Sequence, residues 1–325
     1  MNWKNKHIPI LARCSALGQL ATEPRDKSPM EKYKEANDNL IKYKNDYSIM
    51  VNKETATAKK KLEQIQKTNN LILELEPIKD KPHLSQSCIK QMIKLFITHE
   101  YGRRQRLNSK YLEKGNEQEE DSITLLSLYT GRLYKKNTER LSDTFKTGEC
   151  DLYEGKNTTR AEHTLDTKSS WSMETFMEAI ADDLNHDYEC QGQGYMDLYN
   201  ADRHSVCYCL VNGSGKHILD EKKKLAYSLG LIDMDAGDEN FKKECQLIER
   251  NHIFDMGLFL RHNPWFELHS ELDQYAIENG EPWEYDVPYQ QRVHIKTFER
   301  NQAKMEFIHH QIEQGREYIL TNFYK

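Results

Sequence analysis

The chain has 325 residues, 30% of them charged and 37% apolar, with a formal net charge of −6. That length suits one large α/β domain with helical additions. The acidic balance argues against a protein that wraps DNA non-specifically, while leaving room for a local basic channel.

The N-terminus carries only a short apolar run, Ile8 to Leu11, and no stretch is long and apolar enough to span a bilayer, so a cytoplasmic protein is expected. Residues 8–22 predict an extended segment and then a small helix capped by Ser15. Pro24, Asp26 and Pro29 mark a turn-rich break. From 31 to 76, Lys, Glu and Asn dominate. Leu40, Tyr43, Tyr47, Met50, Leu62, Ile65 and Ile72 recur there at helical spacing, which predicts two helices in a hairpin or coiled-coil-like insert. Pro77, Pro82 and Gly102 bracket a helix from Gln86 to Glu100. The basic cluster Arg103-Arg104-Gln105-Arg106 follows, either a solvated helix end or a phosphate contact.

Residues 111–135 predict a helix with Ile123, Leu126 and Tyr129 on one stripe and Gly131 as its stop. Its acids, Glu117, Glu119, Glu120 and Asp121, cluster in the first turns, where they complement the helix dipole. Residues 143–154 and 160–168 read as two strands around a turn at Gly155-Lys156-Asn157, a hairpin that brings Asp151 close to Asp166. Helices are expected from Trp171 to Leu184, with Phe176, Ala179, Ile180 and Leu184 apolar, and from Tyr188 to Tyr199. A third strand runs from His204 to Val211. Its alternation Val206, Tyr208, Leu210 makes Cys207-Tyr208-Cys209 part of a buried strand rather than a metal-ligand pair. The seven cysteines, an odd number, read as free thiols in a reducing setting, with no iron–sulfur cluster. Beyond 221 the chain reads as helical and aromatic-rich. "EPWEYDVPYQQRVH" is extended, and a last helix is expected from Ile295 to Ile319 with Phe298, Met305, Ile308, Ile312 and Ile319 aligned. Trp265, Phe266 and Trp283 offer stacking surfaces for bases, but core packing is the stronger expectation.

The chemistry centres on Asp166-Thr167-Lys168-Ser169-Ser170-Trp171. On a strand, Asp166 and Lys168 project from one face, with the Thr167 carbonyl on the adjoining edge. A carboxylate, a carbonyl oxygen and an ammonium then surround one small volume, which suits a hard cation. The companions, in chain order, are a helix bearing Glu119, a strand bearing Asp151, and a helix with Tyr188, Gln191 and Tyr195 at i, i+3 and i+7.

This order and spacing resembles the PD-(D/E)XK nuclease superfamily. More narrowly, it is similar to the phage-type recombination exonucleases, the lambda exonuclease and YqaJ-like group related to RecB-type nuclease domains. "KGNEQEE" matches the motif in which a glycine, Gly115, precedes the metal-site glutamate, Glu119, by four residues. "GECDL" supplies the G-x-x-D aspartate Asp151, with Cys150 where the family has proline. "DTKSSW" is the (D/E)-x-K element, and "YECQGQGYMDLY" carries the Q-x-x-x-Y pair Gln191 and Tyr195. "RCSALGQLAT" and "VPYQQRVH" also resemble the group. The likeness covers residues 100–215 and, more loosely, both ends; the 31–76 insert matches nothing in it.

The resemblance implies a restriction-endonuclease-like α/β fold, a central mixed β-sheet flanked by helices. It would comprise an N-terminal core segment (1–30), the helical insert (31–76), the nuclease core (77–220) and a helical C-terminal part (221–325). It implies Mg2+, or Mn2+, held by Glu119, Asp151, Asp166 and the Thr167 carbonyl, with Lys168 orienting water and holding the scissile phosphate. Glu117 and Glu120 compete for the place of Glu119. Gln191, Tyr195, Tyr188, Ser169 and Ser170 would meet the substrate strand; Ser169 and Ser170 equally suit capping of the next helix. The implied activity is degradation of one strand of linear double-stranded DNA from a free end, 5′ to 3′. The implied partners are a single-strand annealing protein and further copies of the chain in a homo-oligomer, inside a bacterial host cell if phage-encoded. Two other readings compete: a structure- or sequence-specific endonuclease on the same fold, and a non-catalytic DNA-binding or scaffold protein.

Overall fold

The computed structural model describes residues 8–103, 118–170, 172–231, 234 and 237–324. Gly115, Glu117, Trp171 and residues 104–106 of the basic cluster lie outside the described residues. In chain order the strands are β1 (Ala12–Arg13), β2 (Leu141–Ser142), β3 (Lys146–Gly148), β4 (Leu152–Gly155), β5 (Ala161–Ser169), β6 (Arg203–Cys209) and β7 (Val293–Glu299). Two units are defined by their internal contacts: Met1–Ala12, Ala16–Arg104 and Ala303–Lys325, and then Arg13–Ser15 and Gln105–Gln302.

In the first unit the helices Pro29–Ser48 and Ala56–Leu75 pack on one another as a hairpin. The first begins with a reciprocal cap between Ser28 and Glu31 and with Pro29 in its opening turn, both strong helix starts. Lys61 ties the two helices, 3.0 Å from Asp46 and 4.8 Å above the Tyr43 ring. The helix Gln86–Tyr101 is capped by Ser85 and stopped by Gly102 at φ +62°. The small helix Leu17–Leu20 is present, but Ser15 does not cap it: the capping position is Ala16, which has no side-chain bond to offer.

The second unit is organised by a four-stranded sheet in the order β4-β5-β6-β7. β4/β5 and β6/β7 are antiparallel and β5/β6 is parallel, so the sheet is mixed, as expected. Every residue of β6 from His204 onward is buried, as befits an inner strand covered on both faces. Cys207, Cys209 and Val211 pack against Ile123 and Leu126 of the helix Glu119–Thr130. Val206, Tyr208 and Leu210 pack against Phe176 and Phe254. The expected alternation is therefore borne out, with both cysteine thiols inside the core.

Several boundaries differ from the sequence reading. The strand expected over 143–154 is two strands: β3 pairs with β2, whereas β4 pairs with β5. The break falls at Glu149-Cys150-Asp151 and leaves Asp151 just before the first residue of β4. The helix expected from Ile295 begins only at Gln302; Val293–Glu299 is a strand against β6. Ile295 and Phe298 fit a helical stripe with Met305 by spacing alone, and pairing with β6 overrides that signal. Tyr129 is exposed, since the helix Glu119–Thr130 turns Ser122, Ile123, Leu125 and Leu126 inward. Ile180 is exposed as well. Phe266 and Trp283 are core residues, whereas Trp265 is exposed.

The helix His186–Tyr199 lies close on β6 and β7 at Gly192. A Cβ there would stand 2.4 Å from His204 Cδ2 and 2.5 Å from Phe298 Cζ. Gly192→Ala gains helix propensity but overpacks the core, so a net loss of about 1–2 kcal/mol is expected from urea unfolding. Unchanged or increased stability would refute this packing.

Candidate active site

The site begins at the residue just before β4. Asp151 points one carboxylate oxygen, Oδ2, at the Thr167 amide (2.6 Å) and at Thr167 Oγ1 (2.8 Å). Sheet pairing thus gives way to a side chain: the Thr167 amide, just beyond the first residue of β4, donates to a carboxylate in place of a backbone carbonyl. In an extended strand the amide and carbonyl of one residue face the same edge, so the Thr167 carbonyl faces the Asp151 side. Asp166 is buried, and Lys168, two residues on and projecting from the same strand face, forms an ion pair with it.

All the sequence-derived site residues line one cleft of about 870 Å³: Glu119, Asp151, Asp166, Thr167, Lys168, Ser169, Ser170, Tyr188, Gln191 and Tyr195. Of the two described glutamates, Glu119 lines the cleft and Glu120 is exposed; Glu117 lies outside the described residues. Lys168 Nζ lies 4.7 Å above the Tyr188 ring, so this tyrosine supports the lysine. Tyr195 is buried, and its hydroxyl accepts a hydrogen bond from Gln191 Nε2 at 2.9 Å; it fixes the glutamine. Ser169 Oγ meets Ser122 Oγ at 2.8 Å, and the Ser170 amide donates to the Cys209 carbonyl. Neither serine caps the next helix: Ser172 does, through a reciprocal bond with Thr175.

The electrostatics follow from crowding two carboxylates. Burial, and then the Asp166 charge, push the Asp151 carboxyl up to about 7. Burial disfavours the Lys168 charge, but Asp166 and Asp151 outweigh it and hold the ammonium above the ordinary lysine range. Burial and the Asp166 charge also raise the Tyr195 phenol far above its usual value. Below the site His204 bonds Thr164 through Nδ1 (2.9 Å), and burial holds it down at about 3, hence neutral.

Sequence reasoning missed two features. Lys136 Nζ stands 2.6 Å from Glu119 Oε2; it lies in an irregular stretch, with no motif to flag it. Glu178, Asp182, Asp183 and Asp187 also line the cleft, making one wall acidic. They read as the polar side of two helix ends, which in sequence needs no explanation. A separate acidic pair, Asp143 and Asp197, has Lys146 Nζ 2.5 Å from each, with Arg300 on Asp197.

The donor set is suited to a hard divalent ion. Asp151, Asp166, Glu119 and the Thr167 carbonyl offer oxygen only, and burial together with the Asp166 charge disfavours an anionic Asp151 in the absence of a cation. Cys150, the nearest sulfur in sequence, is buried with its thiol pushed up, which disfavours a thiolate ligand.

These elements define a mixed α/β fold with an acidic, lysine-bearing cleft at the end of its β4–β5 hairpin. No family model matches the chain, and no curated protein matches it. Among solved structures it is similar to a phage-related exonuclease from Haemophilus somnus 129PT, at 20% identity and TM-score 0.52, over 97% of this chain and 95% of that one. It is also similar to the alkaline exonuclease LHK-Exo from Laribacter hongkongensis (10% identity, TM-score 0.43, 73% and 81% of the two chains). The same enzyme in complex with dAMP gives 12% identity and TM-score 0.41 over 73% and 85%. The first match spans nearly both chains and shows a shared fold, so the resemblance read from the sequence is borne out at the level of architecture.

Two outcomes follow from the charge balance. The folded Asp151 carboxyl lies above its unfolded value. The stability this group lends is therefore full below the unfolded pKa, near 3.9, and is lost as pH rises through about 7. In chelator, Asp151→Asn is expected to unfold at a higher temperature than the parent at pH 8 and at the same temperature below pH 4. A constant gap across pH would contradict this. Lys136→Met frees Glu119 from its amine and removes a charge beside the cleft, so calorimetric titration should give several-fold tighter Mn2+ binding; weaker binding would overturn that account.

Proposed function

We propose that this chain is a metal-dependent deoxyribonuclease that hydrolyses phosphodiester bonds in linear duplex DNA from a free end. The observation that carries the reading is the meeting of Asp151, just before β4, and Asp166, on β5, with Lys168 and Glu119 in one open cleft. The fold shared with a phage-related exonuclease supports it. No helix among the described residues is long and apolar enough to cross a membrane.

Asp151, Asp166, Glu119 and the Thr167 carbonyl would hold one or two Mg2+ ions. When bound, such ions lower the pKa of water and neutralise the charge that develops on the leaving oxygen. The chain's own groups do the rest. Asp151 is aimed by its two bonds to Thr167, and Asp166 is anchored by burial and Lys168. Lys168 stays protonated, so its part is to hold a phosphate oxygen and orient the attacking water rather than to remove a proton. The Tyr188 ring limits where that ammonium can go. Gln191, braced by Tyr195, presents an amide to the substrate strand.

Removal of the 5′-terminated strand, leaving a 3′ single strand for an annealing protein, is the form of the reaction we infer, in a homo-oligomer inside the host cell. The test is duplex DNA labelled separately at each end and incubated with Mg2+. Label at the 5′ end should be released first, chelator should stop the reaction, and a covalently closed circle should resist. Cutting of the circle would replace the exonuclease reading with an endonuclease. Asp166→Ala and Lys168→Ala, folded by circular dichroism, should each lose about 100-fold or more in rate. Full activity in either would remove the proposed chemistry.

A further inference from the structure

A second cavity, of about 550 Å³, adjoins the cleft along the chain, and nothing in the proposed reaction uses it. The two share the junction after β5: Ser170 lines the cleft and Ser172 lines the second cavity. The helix Met173–Ala181 divides its residues in the same way. Met173 and Glu174 face the second cavity; Thr175, Glu178 and Ala179 face the cleft. The two cavities are therefore neighbours along the chain and along that helix.

Its far wall is Arg250, Asn251 and His252, with Tyr285. The Arg250 guanidinium lies 3.8 Å above the Tyr285 ring, which fixes its plane and its charge. Arg250 Nε is buried and makes no hydrogen bond. In the floor the Val287 amide donates to the Phe254 carbonyl at 2.9 Å, joining the two segments that line it. The remaining polar groups, Asn251 and Ser172, add donors and acceptors, and Glu174 adds one exposed carboxylate at the opening.

The geometry points to a nucleotide subsite, in which Arg250 holds one backbone phosphate of a single DNA strand that runs out of the cleft. A planar arginine lining an open cavity suits a phosphate oxygen, which its terminal N–H groups would meet. The adjoining cavity has room for the attached sugar and base. This rests on the nuclease reading and specifies where its substrate strand continues.

The test is fluorescence anisotropy with a 5′-fluorescein-labelled single-stranded oligothymidylate of about twelve nucleotides, with Ca2+ replacing Mg2+ to stop hydrolysis. Arg250→Ala should weaken binding about tenfold and reduce the slope of log K against log salt by about 0.7, the mark of one lost phosphate contact on a single strand. Asn251→Trp, an exposed position whose larger side chain fills the cavity, should weaken binding as well, and Glu174→Gln should strengthen it. All three should hydrolyse the small ester thymidine 5′-p-nitrophenyl phosphate with Mg2+ at the parent rate, because that substrate ends within the cleft. Parent-like affinity and salt slope in folded Arg250→Ala would overturn the subsite. So would unchanged affinity in Asn251→Trp, should Arg250→Ala fail to fold. If the parent itself hydrolyses neither the ester nor linear DNA, it is the nuclease reading that fails, and the anisotropy comparison still decides whether Arg250 holds a strand.

Discussion

The arrangement depends on one unfavourable contact: two carboxylates, Asp151 and Asp166, held close in a partly buried space. Like charges in such a place repel strongly, and the protein cannot relax them by moving a strand end. It answers with partial compensation. Thr167 gives two hydrogen bonds to one oxygen of Asp151, and Lys168 gives one charge to Asp166. Burial first, and then the Asp166 charge, still hold the Asp151 carboxyl up. A site that only needed to be stable would replace one acid with an amide. Keeping both is intelligible if a divalent cation completes the balance.

The frame explains how the contact survives. β5 is pinned antiparallel to β4 on one side and parallel to β6 on the other, and apolar layers cover both faces of β6. The stored repulsion is thus set against a sheet that cannot shear without exposing the residues beneath it. Neutral His204 serves the same end. A charged imidazole packed against Tyr195 and Phe298 would add to Lys168 in the floor, whereas the neutral ring packs as an apolar plate with one polar edge on Thr164.

Much of this was legible before any coordinates. Asp166-Thr167-Lys168 declares its geometry through the two-residue period of a strand, and Gln191 and Tyr195 declare theirs through the helical repeat. What stayed hidden needed the third dimension. Lys136 reaches Glu119 across seventeen positions of chain with no periodicity to mark it, and Arg250 stacks on Tyr285 from a distant helix. β7 was misread because Ile295 and Phe298 continue the stripe of the helix that follows. Only the open edge of β6, invisible in a linear sequence, makes those residues a strand. The break between β3 and β4 was missed for a related reason. Asp151 leaves the pairing pattern because its side chain supplies the acceptor that a backbone carbonyl would otherwise provide.

The acidic wall of the cleft then bears on how a polyanion could enter. Glu178, Asp182, Asp183 and Asp187 stand on the side of the helices, where Lys296, bonded to the Asp182 carbonyl, is one nearby cation, and the whole chain is net negative. A nucleic-acid backbone approaching that wall is repelled at distances within a Debye length, about 8–10 Å in ordinary salt. The attraction must then come from the floor, where Lys168 and any bound cation lie, and from the cationic side beyond Ser172, where Arg250 lies. Repulsion on one flank with attraction on the other would set which side of the cleft a strand lies against, since its phosphates carry the same charge in either direction. Charge asymmetry of this kind orders a substrate without reading its sequence, which is what a nuclease acting on arbitrary ends requires.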